Sequence, residues 1–91
     1  MITISVKLKF HIPHAGSLKD KRQISRSLVA RTRQRFNTSI AEVDTQDLRQ
    51  TLTLGAAVVS GDGKRARQMI DEIIRFMEDN TDAELIEVYE M

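Results

Sequence analysis

Three groupings of residues in this 91-residue chain have the types and spacing from which chemistry can be built. His11 and His14 flank Pro13, and two imidazoles three residues apart hold a metal ion only if a further ligand such as Glu42, Asp44 or Asp47 reaches them. The spacing alone does not mark a metal site, and surface histidines are the expectation. Glu42 and Asp44 fall on one face of a short extended segment, with Asp47 just beyond it. Paired carboxylates perform acid–base catalysis only in a cleft that perturbs their pKa values. A structural task is the simpler reading, either anchoring the connector or pairing with a base such as Lys21. Ser60-Gly61-Asp62-Gly63-Lys64 follows a strand pattern and opens a helix pattern, as a phosphate loop does. The nucleotide motif, however, needs glycine where Val58 stands and Ser or Thr where Arg65 stands, and an acidic cap repels phosphate. A turn capped by Asp62 accounts for it. With no cysteine, thiolate nucleophiles, disulfides and cysteine metal sites are excluded.

The fourth grouping is one of charge. Residues 1–36 carry nine Lys or Arg against one acid, and residues 37–91 carry five against twelve acids, so the net +1 of the whole conceals halves of +8 and −7. Such asymmetry suits a nucleic-acid or membrane surface, or two halves that attract each other. Within the basic half, residues 18–36 have a helical pattern. On a wheel, Leu18, Ile24, Leu28, Val29 and Phe36 gather in an arc of about 140°. Lys19, Arg22, Arg26 and Arg33 form an outward row about 21 Å long at about 1.5 Å per residue. No acid interrupts the row, and the segment holds seven basic residues against Asp20 alone. The second helix pattern is a contrast within the same chain, because Arg67, Asp71, Arg75 and Glu78 alternate in sign at spacings of three and four and neutralise one another. Lys21 falls inside the apolar arc, where its stem can lie against the sheet.

These residues are positioned by six elements. Ile2, Ile4, Val6, Leu8, Phe10 and Ile12 alternate with Thr3, Ser5, Lys7, Lys9 and His11, the pattern of a half-buried strand. Pro13 and Gly16 end it. Ser17 with Asp20 makes a capping-box-like start for the helix from about Leu18 to Phe36. Ser39 to Asp44 predicts a short strand, and Thr51 to Ser60 a central one with apolar residues on both sides in its second half. A helix from Asp62 to about Asn80 presents Ala66, Met69, Ile70, Ile73 and Met77 on one face, and Ala83 to Met91 predicts a final strand. The order β, α, β, β, α, β gives a single α+β domain over residues 1–91. It is a ferredoxin-like βαββαβ fold with a four-stranded antiparallel sheet and two helices on one face. The uncovered face and free edges invite a second copy, so a homodimer is expected. Acylphosphatases share this topology, but their arginine-bearing glycine loop and strand-borne asparagine are missing here.

At 41% hydrophobic and 30% charged residues, the composition is that of an ordinary globular protein. The alternating start is no signal peptide, and no run approaches membrane-spanning length, so a cytoplasmic location without membrane contact is expected.

Ser17-Leu18-Lys19-Asp20-Lys21-Arg22, Ala41-Glu42-Val43-Asp44 with Gln46-Asp47, the helix-ending Arg35-Phe36-Asn37 and the strand Leu54 to Ser60 resemble the YlxP-like family of small bacterial proteins of unknown function. The resemblance covers nearly the whole chain. It implies a ferredoxin-like fold and genes often found beside translation and ribosome-maturation factors, and it carries over no catalytic residues. The expected function is therefore that of a non-enzymatic RNA- or ribosome-associated accessory protein without a cofactor. It would contact phosphates through Lys19, Arg22, Arg26 and Arg33, with Lys7 and Lys9 as further contacts. The alternatives are a homodimeric protein-interaction module and a small-molecule-sensing domain. Because the open face offers a stacking reader little that is flat, backbone or shape recognition is favoured over reading of single-stranded loops.

Overall fold

The computed structural model describes residues 1–91. The chain runs β1 (Ile2–His11), α1 (Leu18–Arg35), β2 (Ser39–Glu42), β3 (Thr51–Ser60), α2 (Gly63–Asp79) and β4 (Glu84–Glu90). The strands form one antiparallel sheet in the order β2-β3-β1-β4, the ferredoxin-like arrangement expected from the sequence. β1 and β3 pair along their whole length, from Ile2 opposite Ser60 to His11 opposite Thr51. The alternation in β1 sends Val6, Leu8 and Phe10 to the helix side, where they meet Leu52, Leu54, Ala56 and Val58 of β3, Leu28 of α1 and Ala66, Ile70, Ile73 and Met77 of α2. Burying side chains of this size contributes about 1.5–3 kcal/mol each before conformational entropy is counted.

Local signals set the helix ends. Ser17 Oγ accepts a hydrogen bond from Asp20 N at 3.1 Å, and Asp20 Oδ2 accepts one from Gly16 N at 3.1 Å, a cap worth about 1 kcal/mol. Asp62 caps α2 by accepting from Lys64 N at 3.2 Å, which leaves the Ser60 to Lys64 segment as a turn and cap. Phe36, just past α1, meets Phe76 of α2 edge to face at 5.4 Å between centroids, joining the two helices at that end.

β2 departs from expectation. It ends at Glu42 instead of Asp44, although Val43 N still donates to Thr53 O at 2.9 Å. Asp44 has φ of 63° and is the one non-glycine residue with positive φ. This left-handed backbone turns the chain out of the ladder. Glu42 and Asp44 therefore do not share a face. Glu42 points toward α1 and pairs there, whereas Asp44 crosses to the open face and pairs with Lys7.

Candidate nucleic-acid interface

α1 carries the row on its solvent side. Lys19, Arg22, Arg26 and Arg33 are all exposed, and none takes part in any of the molecule's four ion pairs. Arg33 Nη2 donates to the carbonyl of Ile40 at 2.8 Å, lashing α1 to the free edge of β2 while its other N–H groups stay available. Between α1 and β2 runs an open groove of about 430 Å³ lined by Arg22, Ser25, Arg26, Arg33, Ile40 and Glu42 among others. The structure thus gathers three of the expected guanidinium groups around one concavity, with Lys19 at the N-terminal end of the same helix. Arg31 and Arg35 lie elsewhere: Arg31 Nη1 donates to Asn80 O at 3.3 Å, and Arg35 sits 5.8 Å from the centre of the Phe36 ring.

Beneath the groove lies a feature of which sequence gave only a partial signal. Lys21 is fully buried. Its Nζ donates to the carbonyls of Thr45 (2.6 Å), Gln46 (3.0 Å) and Thr51 (3.2 Å) and lies 3.0 Å from Glu42 Oε2. The three carbonyls take the three N–H donors. Glu42 Oε2, itself buried, accepts no hydrogen bond, so its tie to Lys21 is Coulombic. A buried ammonium needs this degree of satisfaction because an unpaired charge in the interior is strongly unfavourable. The pair has a direct consequence for the groove. The one carboxylate lining it is already committed to Lys21, and Arg22, Arg26 and Arg33 remain without a counter-charge.

The buried line of α1 is Lys21, Ser25, Leu28 and Thr32, more polar than the wheel's apolar arc suggests. Ile24, Val29 and Phe36 pack at its borders. Thr32 satisfies itself by donating from Oγ1 to Leu28 O at 2.7 Å. Ser25 is the groove residue for which the sequence held no signal.

Lys7 and Lys9 are not part of this groove. They alternate with the core residues of β1 and so occupy the open face, across the sheet from α1. Lys7 Nζ is held by Asp44 Oδ2 at 2.7 Å. Lys9 stands opposite Glu87 of β4 and forms no ion pair within 4 Å. On β4 the Tyr89 hydroxyl donates to Glu87 Oε2; that hydrogen bond, with burial and the carboxylate charge behind it, raises the phenol's pKa above its ordinary value. The Arg67 guanidinium at 2.6 Å from Glu90 Oε1 holds the Glu90 carboxyl below the usual range, chiefly through their hydrogen bond. No three metal-ligating side chains converge anywhere, so His11 and His14 find no third ligand among Glu42, Asp44 and Asp47. No helix is long and apolar enough to cross a membrane.

Sheet order, register and the placement of both helices define a ferredoxin-like α+β domain. Within that class the chain belongs to the family described as protein of unknown function DUF503, whose model matches residues 3–90. A relative in Bacillus subtilis (strain 168), uncharacterized protein YlxP, is 33% identical over 64 residues, which is 70% of each chain. Among solved structures, the de novo designed protein Ferredog-Diesel aligns with 99% of this chain and 84% of its own at 13% identity and a TM-score of 0.46.

Proposed function

We propose that this chain is a non-enzymatic, cytoplasmic, RNA- or ribosome-associated accessory protein that binds phosphate backbone through the exposed face of α1. The observation that carries the reading is the absence of any carboxylate partner for Lys19, Arg22, Arg26 and Arg33. Keeping like charges together on one helix costs stability, and an external polyanion relieves that repulsion. Lys7 and Lys9 face the other way, so a single rigid duplex lying on α1 does not reach them.

Neutralising about four phosphates makes log K fall with log salt at a slope near −3.6, a loss of about two orders of magnitude between 50 and 200 mM salt. Fluorescence anisotropy with a short RNA duplex measures this. Charge reversal of Arg26 and Arg33 removes two contacts and should bring the slope to about −1.8. An unchanged slope in the double variant removes this surface as the binding site. Pull-down from lysate with and without ribonuclease then separates RNA partners from protein partners.

A second reading, a homodimer, is favoured by the free edge of β4, where Ile86, Val88 and Tyr89 remain exposed, since such an edge is a template for another strand. Salt-resistant self-association in light scattering, without RNA binding, selects it over the first.

A further inference from the structure

We infer that Glu42 is the hydroxyl-reading group of the α1–β2 groove, accepting a hydrogen bond from a ribose 2′-OH and so making the site selective for RNA over DNA. The inference rests on the phosphate-binding reading above and adds to it a way of telling the two polyanions apart.

A surface serving phosphate alone gains nothing from a carboxylate in its wall, because that charge repels the ligand. Here the carboxylate is nonetheless held in place. Lys21 anchors Oε2 at 3.0 Å from beneath, Oε2 is buried without accepting a hydrogen bond, and the side chain keeps 18% of its surface exposed while lining the groove beside Arg22, Arg26 and Arg33. Arg22 and Arg26 are one helical turn apart, about 6 Å of rise. With Oε2 turned inward to Lys21, the carboxylate's other oxygen, Oε1, forms no hydrogen bond or ion pair within the chain, and the site presents guanidinium donors beside this one fixed acceptor. A ribonucleotide unit has the complementary pattern, with phosphate oxygens that accept and, one sugar away, a hydroxyl that donates. Deoxyribose lacks that donor, and the 2′-OH is the group by which a protein distinguishes RNA from DNA at a given site. The ammonium of Lys21 offsets the carboxylate's repulsion of the neighbouring phosphates, and at about 430 Å³ the groove is within the range that accommodates a small ligand.

The probes are one RNA duplex, the DNA duplex of the same sequence, and the RNA duplex with 2′-fluoro sugars, which keeps the ribose shape and removes the donor. Affinities for the wild-type chain are measured by anisotropy at one low salt concentration. The wild type should bind RNA about tenfold tighter than the 2′-fluoro duplex, the scale of one charge-assisted hydrogen bond, and at least as much tighter than DNA. In Glu42→Ala the RNA and 2′-fluoro duplexes should bind alike, and Glu42→Gln, which keeps an acceptor oxygen beside Lys21, should fall between. Circular dichroism checks that both variants are folded, and the wild-type comparison stands without either. Equal wild-type affinity for ribose and 2′-fluoro duplexes, with the salt slope intact, overturns the role of Glu42 and leaves the phosphate reading standing. Full discrimination persisting in a folded Glu42→Ala overturns it as well. Failure of every duplex to bind overturns both.

Discussion

Lys21→Met is the most informative single perturbation, because it removes a charge while keeping nearly the whole side-chain volume. The ammonium donates to three carbonyls and faces Glu42 from a position with no solvent exposure. Methionine fills the channel occupied by the methylenes but donates nothing, so Thr45, Gln46 and Thr51 lose a partner and Glu42 loses its counter-charge. Breaking a buried pair by deleting one member costs about 3–5 kcal/mol. Gln46 is exposed and Glu42 partly so, which lets water replace some of what is lost, and the lower end, about 3 kcal/mol, is the expected value. For a domain of this size that lowers Tm by about 12–24 °C. Urea denaturation gives the free energy, and amide hydrogen exchange should locate the damage in residues 44–50, the connector whose carbonyls the lysine gathers. The double variant Lys21→Met/Glu42→Leu should recover part of the loss, since replacing both members of a buried pair by apolar groups is often near neutral. A single-variant loss below about 1 kcal/mol, or unchanged exchange in the connector, refutes the view that Lys21 organises this region.

Tyr89 is the sole tyrosine and the chain has no tryptophan, so absorbance titration reads its phenol cleanly. Glu87→Ala should lower its midpoint toward the ordinary value near 10. In the wild type the hydrogen bond's contribution is full below the unfolded value and is lost as pH rises through the higher folded one. The Arg67–Glu90 pair has the opposite sense, because the folded carboxyl titrates low. Its contribution is present above about pH 4.3 and disappears as pH falls through the depressed folded value. In Arg67→Ala the Glu90 resonance should titrate at higher pH than in the wild type. Gly55→Ala should stabilise the chain by about 0.5 kcal/mol in urea denaturation, because a Cβ there meets the Val43 methyls at an ordinary 3.6 Å and no glycine has positive φ. Destabilisation would show that the open face tolerates no added bulk at that point.

The period-two run of β1, the caps at Ser17 and Asp62 and the apolar face of α2 were legible because each is a local signal that tertiary packing reinforces. The wheel for α1 also located Lys21 correctly within the buried arc. What it could not reveal is that Lys21, Ser25 and Thr32 occupy the middle of the buried line, with Ile24, Val29 and Phe36 at its borders. That rotation is set by the connector's carbonyls, which approach Lys21 from 24 to 30 residues away in the chain. Spacing likewise left Glu42, Asp44 and Asp47 as equal candidates to pair with Lys21. A single left-handed residue decides among them, sending Asp44 to Lys7 and leaving Glu42 inside. The basic row was visible in sequence as composition on one helix face. Its convergence with β2 into a groove was not, because that depends on which edge of the sheet α1 lies against.

The sheet order also has a consequence for how the chain is made. β1 leaves the ribosome before the strands it pairs with, since its two neighbours are β3, about fifty residues later, and β4, later still. Each half of its ladder must close a long loop before any pairing is gained. During synthesis, therefore, the ten residues of this alternating apolar strand wait with both edges unpaired, and β1 is enclosed on its second side only after β4 has been made.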